Sequence, residues 1–420
     1  MAKEIKLDNG ITIITEKNTM VRSAALGLWV ASGSVYEDDL THGVSHFIEH
    51  MMFKGTENRT ARQIAEDMDK IGATFNAMTG KEATCYYVKT LTSNIYRGAE
   101  ILIDMVLGST FETVELDKER QVILEEIKMV KDTPDDEIFD LISEQVNRGN
   151  PLERSILGTP ESLAGIDRDR MVGYYRRRYA RDSIVIAVAG NFDEQKIIDL
   201  FSEKMGALNE TAPAFEKTIS PYQKSSLVKV KDIEQTHICL ATPGVSYDHE
   251  LYYAFVLMNS ILGGSMSSRL FQNIREQKGL AYHVSSVNSF NSFTGFFNIY
   301  AGVSYENAAE TIREIRRELQ IMREDGVSEE ELSIAKEQVK TTSIFSLENP
   351  AALMFSLGRN KLLMNRLFSV DESLEKYNAV TRADILKAAE MIGDLDNYCA
   401  AVITNKEMDI EELINESKNL

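Results

Sequence analysis

The same order of elements can be read twice along this chain of 420 residues, and that repetition restricts its fold more than any other feature. In the first half, hydrophobic periodicity predicts a strand at about 24–31, then helices at about 41–53 and 60–70. Strands at about 73–79 and 83–90 follow, then helices near 94–108 and 114–131. The second half predicts a strand at about 236–242, helices at about 249–261 and 267–277, and strands at about 281–289 and 293–303. Helices near 305–323 and 328–346 come next. Each half closes with a strand, "SIVIAVAGN" (183–191) or "NYCAAVITN" (397–405), followed by a helix. Strands joined by short connections, with helices in runs between them, indicate an α+β fold rather than alternating βαβ units. The expectation is two similar halves, each a mainly antiparallel sheet covered by helices. Between them "NETAPAFEKTISPYQKSS" (209–226) is polar and holds two of the chain's seven prolines, which reads as a linker. The expected domains are therefore 1–208 and 227–420.

Composition narrows the partners. With 65 acidic against 46 basic residues the net charge is −19, which repels phosphate backbones, so no nucleic-acid partner is expected. The densest basic run, "YYRRRYAR" (174–181), reads as a helix C-terminus. Cys85, Cys239 and Cys399 stand far apart in apolar stretches and read as buried thiols of a reducing compartment. The start, "MAKEIKLDNGITIITEKN", reads as strand, turn, strand and contains no apolar signal-like core. No window reaches membrane-spanning length, so the expectation is a cytoplasmic protein without a membrane partner.

The chemistry is concentrated in "GVSHFIEHMMFKGT" (43–56). On a helix, His46 and His50 project about 40° apart and Glu49 lies about 60° to the other side of His46. Val44, Phe47, Ile48, Met51 and Met52 take the opposite side. Two imidazoles one turn apart can share a Zn²⁺, and the glutamate beside them is placed to accept a proton from an attacking water rather than to ligate. The competing reading is a solvated helix face with a structural histidine. A catalytic zinc needs a third protein ligand, and "LDKERQVILEEIKMV" (116–130) offers one. Glu119 and Glu126 fall about 20° apart on that helix, inside an apolar stripe formed with Val122, Ile123, Ile127 and Val130. Glu125 points away. Two carboxylates on a core-facing stripe ask for a cation.

His46-x-x-Glu49-His50, with Glu126 following 76 residues after His50 and Glu119 seven before that, resembles the inverted zinc-peptidase signature of the insulinase-like (pitrilysin) family. "LDNGITIITE", "FNAMTGKEATCYY", "ERQVILEEI" and "LGGSMSSRLFQNIREQKGLAY" are similar to further blocks of that family, so the resemblance spans essentially the whole chain. In size it is most similar to bacterial relatives of the mitochondrial processing peptidase. The resemblance implies a zinc endopeptidase acting on peptides or unfolded segments held in extended form, its halves facing each other across a cavity. It implies His46, His50 and Glu126 as ligands of one Zn²⁺ per chain, Glu49 as general base and Glu119 as an outer carboxylate. It also implies that Arg275 and Tyr282 reach the cleft from the second half to stabilise the oxyanion, and that a substrate strand adds beside Asn76 and Ala77.

The second half repeats the elements without the metal site. "ELYYAFVLMNSILGG" has no histidine, and Ala335 and Lys336 stand near the counterpart of Glu119. The short loop "LGGSMSSRL" is similar to that of the catalytic members, which implies no dedicated partner subunit, and the bacterial relatives imply a homodimer. The alternative function is a non-catalytic peptide-binding or assembly subunit of the same fold.

Overall fold

In a computed structural model, which describes residues 2–217 and 219–418, the strands gather into two sheets. The first contains β1 (Lys3–Lys6), β2 (Thr12–Lys17), β3 (Ser23–Val30), β4 (Thr74–Thr79), β5 (Thr84–Leu91) and β6 (Ile184–Gly190), in the order β1-β2-β6-β3-β5-β4. The second contains β7 (Ser226–Val230), β8 (Thr236–Pro243), β9 (Ala281–Phe290), β10 (Gly295–Val303) and β11 (Cys399–Thr404), in the order β7-β11-β8-β10-β9. With β1 set aside, the two orders correspond strand for strand. Each sheet has a single parallel pair, β2–β6 or β7–β11, and its other pairings are antiparallel. The expected α+β fold with two similar, mainly antiparallel halves is the fold observed.

Helices Val44–Met52, Ala61–Lys70, Ile95–Gly108 and Thr113–Asp132 lie where the apolar periodicity placed them in the first half. Tyr252–Leu262, Ala308–Glu324 and Glu329–Leu347 do so in the second. The helix expected at about 267–277 is wound over Phe271–Gln277 as a π-helix, with its hydrogen bonds one residue longer than the α form. Residues 209–217 and 219–225 carry no helix or strand.

The chain separates into two compact units. One comprises 1–128, 154–216 and 344–369; the other comprises 129–153, 217–343 and 370–420. Two segments thus belong to the unit opposite to their place in the chain. Strand burial supplies the reason. β3, β6, β8 and β11 are buried along nearly their whole length, which requires apolar cover on both faces. One face of the first sheet carries the core that includes Ile13, Leu26, Phe47, Tyr86 and Ile123. The other face, around Ile14, Trp29, Cys85 and Ala187, is closed by Met354 and Leu357 of the helix Pro350–Met364.

The second sheet is closed in the same way by the helix Pro134–Val146. Its Ile138, Ile142 and Val146 pack on Cys239, Tyr300, Cys399 and Ala401. Glu137 of that helix, 4% exposed, is held by the ammonium groups of Lys229 and Lys231. Both covering helices begin with proline at the first turn, where a missing N–H costs nothing. All three cysteines are free and buried, as expected. Among the described residues no helix is long and apolar enough to cross a membrane.

The cover on the first sheet is close. A Cβ placed on Gly358 would lie 2.0 Å from Trp29 Nε1, so only hydrogen fits between helix and indole. Replacing Gly358 by Ala is expected to destabilise the protein by about 1–3 kcal/mol through overpacking, read as a lower midpoint in thermal unfolding.

Candidate metal centre

The helix Val44–Met52 carries "VSHFIEHMM", and Val44, Phe47, Ile48, Met51 and Met52 are all buried in the first core. Its start is set by Gly43, whose φ of +89° favours glycine and whose absent Cβ would meet Leu157 O and Gly158 Cα at 2.9 Å. With glycine at that position the helix has no side-chain cap of its own, and Glu37 supplies one from outside. Glu37 Oε2 accepts from Gly43 N at 2.7 Å and Oε1 from Ser45 N at 2.8 Å. Burial pushes the Glu37 carboxyl up to about 7, against the pull of those two N–H donors. The sequence reading missed Glu37; its signal was a helix start with no Ser, Thr, Asp or Asn at the capping position.

The helix Thr113–Asp132 packs against the same core through Leu116, Ile123 and Ile127. Arg120 extends from it over the Phe47 ring at 5.5 Å and donates to the carbonyls of Leu163 and Ile166. Glu119 is 6% exposed and Glu126 is half-buried, while Glu125 is exposed as expected. The expected apolar stripe is narrower than its periodicity suggested. Val122 is 49% exposed and stands outside it, because the core covers only the line Leu116, Glu119, Ile123 and Ile127.

These two helices bring together donor atoms that are far apart in the chain. Glu126 Oε2 lies 3.7 Å from His46 Nε2 and 3.7 Å from His50 Nε2. Among the described residues, His46, His50 and Glu126 form the one group of three or more potential ligands whose donor atoms all lie within 4.8 Å of one another. Four tetrahedral ligands at zinc's usual bond lengths of about 2.0–2.1 Å would lie roughly 3.4 Å apart, so the set fits that ion with little adjustment. Two imidazoles and one carboxylate are also a donor set that such a site uses while leaving one position open.

The electrostatics suit a cation. Burial, reinforced by the neighbouring His50, pushes the His46 imidazole down to about 3, which leaves it neutral and its lone pair free at physiological pH. His50 Nδ1 is 3.1 Å from Glu119 Oε2; with Glu119 as acceptor, Nδ1 carries a proton and Nε2 is turned toward Glu126. Glu49 stands beside the cluster and outside it. Its carboxylate accepts from the Thr79 hydroxyl at the end of β4, and burial raises its pKa against that hydrogen bond. Thr79 lies within "FNAMTGKEATCYY" (75–87), and its place at the C-terminal end of β4 is the only sequence signal of this role. His42, four residues before His46, bonds Ser155 O at 3.1 Å and takes no part in the cluster.

The other expected site residues fall in two places. Asn76 and Ala77 lie in β4, the outer strand of the first sheet, and Ala77 N donates to Asn76 Oδ1 at 2.9 Å. Arg275 and Tyr282 belong to the second unit and meet there. The Arg275 guanidinium lies 4.7 Å from the Phe271 ring centre and 5.6 Å from that of Tyr282. Tyr282 is 75% exposed and so is no core residue of β9. In the second unit the counterpart of the histidine helix, Tyr252–Leu262, offers no ligand, and Ala335 is buried near the position matching Glu119.

Known proteins resemble the chain over nearly its whole length. The family model described as "Insulinase (Peptidase family M16)" matches residues 12–160, and that described as "Peptidase M16 inactive domain" matches 165–339. The uncharacterized zinc protease YmxG of Bacillus subtilis is 39% identical over 96% of this chain and 98% of its own. Uncharacterized zinc proteases of Streptomyces coelicolor and Rickettsia felis are 36% and 37% identical over 91% and 92% of the chain, covering 85% and 94% of their own lengths. Among solved structures, a peptidase M16 inactive domain from Pseudomonas fluorescens superposes with a TM-score of 0.90 at 19% identity, covering 97% of this chain and 99% of its own. A protease from Helicobacter pylori does so with a TM-score of 0.87 at 20% identity, covering 96% and 99%. At those identities the structures speak for the fold alone.

The buried imidazole makes the metal-free protein acid-sensitive. Between about pH 6.5 and 3 the unfolded chain protonates His46 and the folded chain does not, so stability falls as pH drops through that window. By pH 5 the expected loss is about 2 kcal/mol. Denaturant titrations of chelator-treated protein at pH 7 and pH 5 check this, with the acid loss smaller by that amount in His46→Gln.

Proposed function

The chain belongs to the insulinase family of peptidases (peptidase family M16), and on that premise we propose that it is a zinc-dependent endopeptidase. The observation that carries the reading is the convergence of His46 Nε2, His50 Nε2 and Glu126 Oε2, with Glu49 beside them and uninvolved in their contacts. In this reading those three residues hold one Zn²⁺ per chain. Bound there, the ion supplies Lewis acidity toward water and the scissile carbonyl.

The chain's own groups do the rest. Glu49, oriented by Thr79, takes a proton from the attacking water and later delivers it to the leaving amine. The raised pKa that burial gives Glu49 suits a group that must hold that proton between the two steps. Glu119 holds the His50 ring in the tautomer that exposes Nε2. The substrate is a peptide or unfolded segment that adds as an extended strand along β4, with Asn76 and Ala77 at the contact, so that main-chain hydrogen bonds supply most of its recognition. Arg275 and Tyr282, from the second half of the chain, donate hydrogen bonds to the carbonyl oxygen as its charge develops. The same reading makes the protein a cytoplasmic homodimer with no nucleic-acid or membrane partner.

Glu49→Gln removes the base and keeps the shape. It is expected to retain bound zinc while peptide cleavage falls about 10²–10⁴-fold in kcat. Cleavage near the wild-type rate would remove Glu49 from this role. A wild-type chain that binds zinc and peptide without cleaving any member of a mixed peptide library would instead favour a peptide-binding subunit. Arg275→Ala and Tyr282→Phe should each lower kcat by roughly 10²–10³-fold with little change in zinc content, as expected for loss of one oxyanion donor.

A further inference from the structure

We propose that Lys54 is a positioning residue of the metal centre, acting through Glu119 to fix His50 as a ligand. The inference rests on the ligand set proposed above. Glu119 divides its two oxygens between two partners. Oε2 faces His50 Nδ1 at 3.1 Å, and Oε1 faces Lys54 Nζ at 2.6 Å. Glu119 sits between Leu116 and Ile123 on the buried line of its helix and is 6% exposed, so its negative charge needs a partner inside the protein. An imidazole that ligates through Nε2 gives it one N–H and no charge. Among the described residues Lys54 is the one lysine or arginine paired with Glu119.

Chain geometry brings the ammonium to that point. The helix ends at Met52, but Phe53 keeps a right-handed conformation, with its N–H on His50 O at 3.2 Å and that of Lys54 on Met51 O at 3.0 Å. Lys54 therefore follows His50 by one turn on the same face of the helix. Lysine and histidine approach the same carboxylate from one helix, and the carboxylate comes from another. With both oxygens engaged, Glu119 cannot rotate, and the His50 ring that leans on it keeps Nε2 turned toward Glu126. Without Lys54, one oxygen is left buried and unpaired, and the carboxylate is free to turn away from His50.

Zinc affinity of the full chain, measured by competition with a chelator, tests this without recourse to catalysis. Lys54→Met, which keeps the stem and removes the charge, is expected to weaken Zn²⁺ binding about 10-fold, while Lys54→Arg stays within about 3-fold of wild type. Because Lys54 acts through Glu119, the double variant Lys54→Met with Glu119→Gln should bind no more weakly than Glu119→Gln alone. Thermal unfolding of the metal-free forms verifies folding, and Lys54→Gln, with the same loss of charge, replaces the methionine variant if that one does not fold. Zinc affinity of Lys54→Met within about twofold of wild type, or losses that multiply in the double variant, would overturn the proposal. A folded wild-type chain that takes up no Zn²⁺ would overturn the ligand assignment beneath it.

Discussion

The candidate centre depends on one apolar core, into which the helices Val44–Met52 and Thr113–Asp132 both set their apolar faces. Phe47, Ile48, Met51 and Met52 from the first and Leu116, Ile123 and Ile127 from the second are buried in it, which fixes the face each helix presents to the site. His46, His50, Glu119 and Glu126 are thereby brought together, His46 and Glu119 buried and the other two half-buried. Burial keeps His46 neutral, raises the pKa of Glu49, and leaves Glu119 in need of partners, which it finds in His50 and Lys54. Each of these groups would be ordinary on a solvated surface. Their chemistry comes from the apolar residues that hold them in place.

The histidine helix is held just as firmly at its start. Glu37 reaches its first turn from outside the helix, and the close approach of the 157–158 backbone to Gly43 leaves no room for a side chain at the capping position. A helix that must present two imidazoles and a carboxylate at defined angles gains from a cap that is itself buried, because the register of the first turn sets that of every later one.

Much of this was legible in the residues. The duplicated order of elements gave two similar sheets, and the spacing of His46, Glu49 and His50 put one chemical face on one helix. The stripe through Glu119 and Glu126 pointed to buried carboxylates; Glu119 is buried, but Glu126 is half-buried and Val122 lies outside the stripe. The covers on the second face of each sheet were legible only in part. Unbroken apolar runs such as "SIVIAVAGN" signal a strand buried on both sides, but they do not say what lies on the second side. The answer is an exchange, with Pro350–Met364 closing the first sheet and Pro134–Val146 the second. No periodicity within either helix names the sheet it will cover.

By itself the sequence determined the local and periodic features: which segments are helices or strands, which faces are apolar, and which residue types stand a turn apart. These follow from backbone geometry and side-chain spacing, which act over a few residues. Only the tertiary structure decided the rest: the meeting of Glu126 with two imidazoles, the pairing of Glu119 with Lys54, the remote cap from Glu37, and the exchange of covering helices. Those contacts join residues from different elements of the chain. Which buried polar group finds which partner is settled only when the apolar surfaces have closed around them.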